Sequence, residues 1–104
     1  MAQDLDVVRH ELSRRVAALG GWGVRARPAE WAIAVDEIRV IADGAGLAPT
    51  VTVAHVIAAA LARGERGANV QGWLPLLGDA VQAPRQDRAA CDTFAAMCAV
   101  RLGG

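Results

Sequence analysis

The sequence predicts an all-α fold: an up-and-down antiparallel four-helix bundle with one additional helix. Three observations carry that expectation. Hydrophobic residues make up 54% of the chain and aromatics only 4%. The hydrophobic share is mostly Ala, Val and Leu, and Ala gives up no side-chain entropy in a helix. Five segments repeat apolar residues at spacings of three and four, with Gly and Pro between them. The connections are short, which makes successive helices antiparallel neighbours. A chain of 104 residues buries one core, so a single domain over 1–104 is expected.

The first helix is read at about 3–19. There Leu5, Val8, Leu12, Val16 and Leu19 form one stripe, and GGWG at 20–23 stops it. His10 falls on the charged side of this helix. The second runs from Pro28 to about Ala45. Pro28 suits a first turn, where its missing N–H is not needed, and GAGLAP at 44–49 ends the helix. The third spans about 50–63, with Thr50 as N-cap and Gly64 as the stop. GERGANVQG at 64–72 reads as the loosest connection. The fourth spans about 70–82 and carries Val70, Trp73, Leu74, Leu77 and Val81. Pro75 either lies in its first turn or kinks it. Pro84 follows. The fifth spans about 86–102, with Cys91, Phe94, Met97, Cys98 and Leu102 on one side. TVTVA at 50–54 alternates briefly but runs into an Ala-rich segment, so no strand is expected.

Several function classes are excluded by what the chain lacks. Eleven basic and eleven acidic residues cancel. Without a basic excess, neither a nucleic acid nor an anionic membrane is an expected partner. The longest apolar run, 53–62, contains His55 and is far too short to cross a bilayer. The opening MAQDLDVVRHE is acidic and polar rather than a leader, so a cytoplasmic location is expected. Cys91 and Cys98 sit seven apart on one helix, which separates their Cα atoms by roughly 10 Å. That is beyond disulfide reach, and both read as small core hydrophobes. Together with the two histidines they match no metal-ligand spacing. No metal or cofactor is expected. There is no Gly-rich phosphate loop and no nucleophile motif. Asp36, Asp43 and His55, the candidates for acid–base work, lie on convex helix surface rather than in a pocket. An enzyme is not expected.

The informative detail lies in helices two and three. At about 100° per residue, Trp31, Ala34, Val35, Ile38, Ile41, Ala42 and Ala45 share the core side of helix two. Ala32, Ile33, Asp36, Arg39, Val40 and Asp43 lie opposite. This outer face is only half polar, because Ile33 and Val40 flank Asp36. On helix three, Val53, Val56, Ile57, Ala60 and Leu61 form the core side. His55 lies opposite, among Val51, Ala58, Ala59 and Ala62, and is expected to be exposed. In a hairpin turning near Leu47, Asp36 falls level with Ala59 and His55 level with Val40. The result is a flat apolar surface bearing a carboxylate and an imidazole, of the kind that marks protein contacts.

The segment GLAPTVTVAHVIAAALARG, 46–64, resembles the helix that follows the acceptor histidine in histidine-containing phosphotransfer (HPt) domains. Its Gly46, Val53-Ala54, Ile57, Ala60-Leu61 and Gly64 fall where that family shows Gly, hydrophobe-Ala, hydrophobe, Ala-Leu and Gly. The likeness covers about 32–64. It implies a four-helix bundle that meets sensor kinases and response-regulator receiver domains. Counting back ten residues from Gly46, the acceptor position holds Asp36. Ile38 then takes the hydrophobic slot and Arg39 the Lys slot. Val40 replaces the family's Gly, and Ala58 its Glu. Imidazole accepts phosphate because it is nucleophilic when neutral near physiological pH. A lone helical Asp is a poor substitute, and Arg39 supplies charge rather than a nucleophile. The resemblance therefore implies a degenerate module that docks a receiver domain or histidine kinase without carrying phosphate. Its expected contact residues are Ile33, Asp36, Arg39, Val40, Asp43, His55 and Ala59.

Two rivals stand beside it. His55 itself as phosphate acceptor lacks a Lys or Arg one turn on. A small homodimer or assembly domain outside signalling would bury a Trp, and Trp22, in a Gly turn, is its expected surface anchor.

Overall fold

A computed structural model describes residues 5–22, 26–64, 70–84 and 86–103, with side chains given as far as Val100. Its described residues contain five helices and no strand. They are α1 (Leu5–Gly20), α2 (Pro28–Gly44), α3 (Ala48–Ala62), α4 (Leu74–Gln82) and α5 (Arg88–Gly103). The most extensive helix contact is α2 on α3. α1 packs on α2 and on α4, and α3 packs on α4, so these four helices are neighbours in a closed ring. α5 lies against α3 and more lightly against α4. The radius of gyration is 12.9 Å, close to the ~13 Å of a folded chain this long.

The apolar stripes meet in one cluster. Val8, Leu12 and Leu19 of α1 face Trp31, Val35, Ile38 and Ala42 of α2, and α3 adds Val53, Ala54, Ile57, Ala60 and Leu61. All five residues expected to face inward in the fourth segment are buried. α1 is also tied by polar bonds. The Arg15 guanidinium donates to Glu37 on α2 at 3.1 Å, Gln82 Nε2 to Ser13 Oγ at 2.9 Å, and Arg9 to the Ala83 carbonyl at 3.2 Å.

The α2–α3 turn corrects one expectation. Gly46 adopts φ +76, which an L side chain disfavours. This lets Leu47 N–H reach the Ala42 carbonyl at 2.9 Å and Gly46 N–H the Asp43 carbonyl at 3.2 Å. That pair of bonds is a Schellman closure, and its usual hydrophobic contact is present as buried Leu47 and Ala42. The reversal is so tight that α3 begins at Ala48. Leu47 stands at the N-cap, with no side-chain cap, and Pro49 occupies the first turn. Thr50 is therefore not the N-cap. It lies inside the helix, buried, and its hydroxyl finds no partner among the described residues.

Other boundaries also move. Val70 and Gln71 are helical, but a turn at Gly72 and Trp73 separates them from α4, which starts at Leu74. Pro75 thus lies in the first turn of α4 and kinks nothing. α5 starts at Arg88 rather than 86, because the Asp87 carboxylate accepts the Ala90 N–H at 2.9 Å and caps the helix. On α5, Cys98 is buried and Cys91 and Phe94 are half-buried, but Met97 is exposed. A step of one residue from Cys98 rotates about 100° away from the core. The Leu102 side chain, residues 3 and 4, and most of the 64–72 connection lie outside the described residues.

Candidate functional site

α2 directs its core stripe inward, which leaves the opposite side to solvent. Ile33 is 63% exposed and Val40 54%. Seven residues apart, they stand two turns from each other on one line. Between them lies Asp36, whose side chain is 61% exposed. Arg39 donates to the same carboxylate oxygen, Asp36 Oδ1, from Nε at 3.0 Å and from Nη2 at 2.9 Å. Asp36 Oδ2 and Arg39 Nη1 have no partner among the described residues. An exposed pair at this spacing adds little to stability, on the order of 0.3–0.5 kcal/mol. Its interest is the fixed, neutral pattern it presents between two bare apolar side chains.

Asp43 is exposed in the last turn of α2, where a negative charge meets the unfavourable end of the helix dipole. The start of α3 offsets this. Asp43 shares a hollow of about 230 Å³ with Gly46, Leu47, Ala48, Val51 and Thr52, beside the positive, N-terminal end of α3. His55 is exposed, and among the described residues it has no hydrogen bond or ion pair. Ala59 is half-buried, as are Val51 and Ala58. Of the expected contact residues, Ile33, Asp36, Val40, Asp43 and His55 are exposed, and Arg39 and Ala59 are half-buried. Only Asp36 and Arg39 touch through polar atoms.

Trp22 is 36% exposed, but its ring stacks edge-on against buried Trp31, with centroids 5.4 Å apart at 65°. It caps the α2 end of the core while leaving an edge to solvent.

Two shallow apolar hollows have no counterpart in the sequence reading. One, of about 420 Å³, runs between α1 and α4 over Val16, Ala17, Leu74, Pro75 and Gly78. The other, about 440 Å³, lies between α4 and α5 beside Pro84 and Phe94. A signal for the first is present in Gly78, a glycine inside a helical stretch that leaves a side chain missing from the wall of the groove.

Away from these features, Glu11 accepts hydrogen bonds from Arg14 (2.8 and 3.1 Å) and Arg15 (3.0 Å). Those bonds hold its carboxyl below the ordinary glutamate range and raise the Arg14 guanidinium. No group of three or more His, Cys, Asp or Glu positioned for a metal occurs among the described residues. No helix there is long and apolar enough to cross a membrane. The chain matches no known family model, no curated protein and no solved structure.

Proposed function

We propose that this chain is a protein-interaction module of the HPt-like kind, docking a receiver domain or histidine kinase without relaying phosphate. On this reading the ring of four helices is an up-and-down bundle, α5 is the additional helix, and the setting is cytoplasmic two-component signalling. The observation that carries it is the outer face of α2, where bare Ile33 and Val40 bracket the Asp36–Arg39 pair. Apolar groups two turns apart around a neutral polar centre suit a flat protein partner.

The same chemistry argues against catalysis. Asp36 occupies the position an acceptor imidazole would hold, and one of its oxygens already accepts two bonds from Arg39. A carboxylate neutralised in this way is a weak nucleophile. Arg39, held by Asp36, is not poised over any neighbouring imidazole. Val40 fills space that an incoming phosphoryl group needs.

The test is capture from a lysate of the chain's own organism, comparing wild type with Val40→Glu. That substitution charges the face without touching the core. Receiver domains or histidine kinases held by wild type and lost by Val40→Glu support the proposal. Capture of neither class, or capture indifferent to Val40, ends it. Acid-labile phosphate on the chain that disappears in His55→Ala would move the role to His55.

A further inference from the structure

The outer face of α2 is complementary to itself, and we propose that a second copy of this chain covers it. A two-fold interface sets each residue of a patch against another residue of the same patch, so the patch must contain both members of every pair it makes. This one does. Ile33 and Val40 are both bare apolar side chains, and Asp36 and Arg39 carry opposite charges with bonding capacity to spare at Oδ2 and Nη1.

The register follows from helix geometry. Let two copies of α2 lie antiparallel about an axis midway between positions 33 and 40, that is, between Asp36 and Glu37. Ile33 of one protomer then falls level with Val40 of the partner subunit, at both ends of the contact. Arg39 falls two residues, ~3 Å along the axis, from Asp36 of the partner subunit. An arginine side chain spans that offset. The two-fold also keeps like sides together: the Ile33–Val40 edge meets itself, and the Arg39 edge meets itself. Each Arg39 can keep its bonds to Asp36 Oδ1 and offer Nη1 to Oδ2 across the axis, giving a closed ring of four alternating charges. Glu37, which lies as near the axis as Asp36 does, already has its charge met by Arg15 of its own chain at 3.1 Å. Asp43, the other acid on this stripe, stands six and a half residues, ~10 Å, from the axis and outside the span from Ile33 to Val40.

If the docking reading proposed above also holds, the two contacts use one face and exclude each other. Self-association itself does not depend on that reading.

The experiment is sedimentation velocity on the purified chain over a wide concentration range. Wild type should pass from monomer to dimer. Ile33→Glu should weaken the dimer at least about tenfold, since it charges the apolar contact at both ends. Asp36→Arg and Arg39→Asp should each do the same, because each variant faces itself with like charges. Mixed together, these two should associate again. One variant then carries arginine at both positions and the other aspartate at both, so opposite charges meet across the axis. All three positions lie on the surface, so unchanged circular dichroism confirms that the fold survives. A wild type that stays monomeric throughout overturns the proposal. So does a dimer indifferent to Ile33→Glu, or a mixture that associates no better than its components. Lysate capture measures docking separately, so a dimer that captures no signalling protein sinks only the docking reading.

Discussion

Thr50→Val decides between two accounts of where α3 begins, because they give opposite signs. Thr50 is fully buried in the first turn, and its Oγ1 has no partner among the described residues. In the unfolded chain that hydroxyl is hydrated. Folding strips the water and returns nothing, at a cost of about 1–3 kcal/mol. Valine has nearly the same shape and a similar helix propensity, so the replacement leaves no cavity. The expected result is a gain of about 1 kcal/mol or more, which raises the melting midpoint by roughly 4–8 °C per kcal/mol for a domain of this size. Had Thr50 been the N-cap, the same change would cost about 1 kcal/mol through a lost capping bond. Urea unfolding followed by circular dichroism gives the sign directly, provided the slope of the transition is unchanged. Thr50→Ala serves as the control. It also removes the methyl and should fall well below Thr50→Val. A lower urea midpoint for Thr50→Val than for wild type refutes the reasoning, because it means the hydroxyl is satisfied after all.

Three further expectations concern glycines and one ion cluster. Gly78→Ala should stabilise by roughly 0.5–1 kcal/mol, because the added methyl meets only Val16 Cγ1, at an ordinary 4.0 Å; thermal melts check it. Gly46→Ala should destabilise by about 1–2 kcal/mol, since the site has open space but a φ of +76, with Gly46→Asn intermediate by the same assay. The Glu11 carboxyl should titrate below the ordinary value of 4.5 in a carbon-detected NMR titration. A depressed carboxylate contributes stability above the unfolded pKa and loses it as the pH falls through the folded one. The Arg14 and Arg15 contribution should therefore fade only on acidification below 4.5, and Arg14→Ala should bring the titration back toward that value.

Much of the architecture is legible in the spacing of apolar residues. On α2 the core and outer faces fall where a period of 3.6 places them, because the helix is long enough for the period to be unambiguous. The side exposed by that arithmetic carries every expected contact residue of α2. Where local chemistry outranks periodicity, the reading fails. Thr50 looks like a cap because Thr is a favoured N-cap residue, but the sharp reversal at Gly46 moves the start of α3 two residues toward the N-terminus. Apolar spacing says nothing of Asp87 as a cap, although it stands three residues before the amide it accepts. The same spacing draws Met97 inward, although the step of one residue from buried Cys98 turns it out to solvent. Of the two hollows beside α4, Gly78 marks only the first, and apolar spacing shows neither as a groove. A groove depends on how far apart two helices stand, and that distance is set by side chains from both.

The Schellman turn at Gly46 bears on the order in which the molecule assembles. Its bonds join residues five or fewer positions apart, and the two helices it connects make the largest contact in the fold. Closing so short a loop costs less entropy than any pairing that waits for α1 to meet α4 across the length of the chain. The α2–α3 hairpin is therefore expected to form first, and Gly46→Ala to act mainly by slowing refolding. The face formed by Ile33, Asp36, Arg39 and Val40 would then stand complete while much of the core is still open. A chain emerging from the ribosome would present this face before it had finished becoming a stable protein.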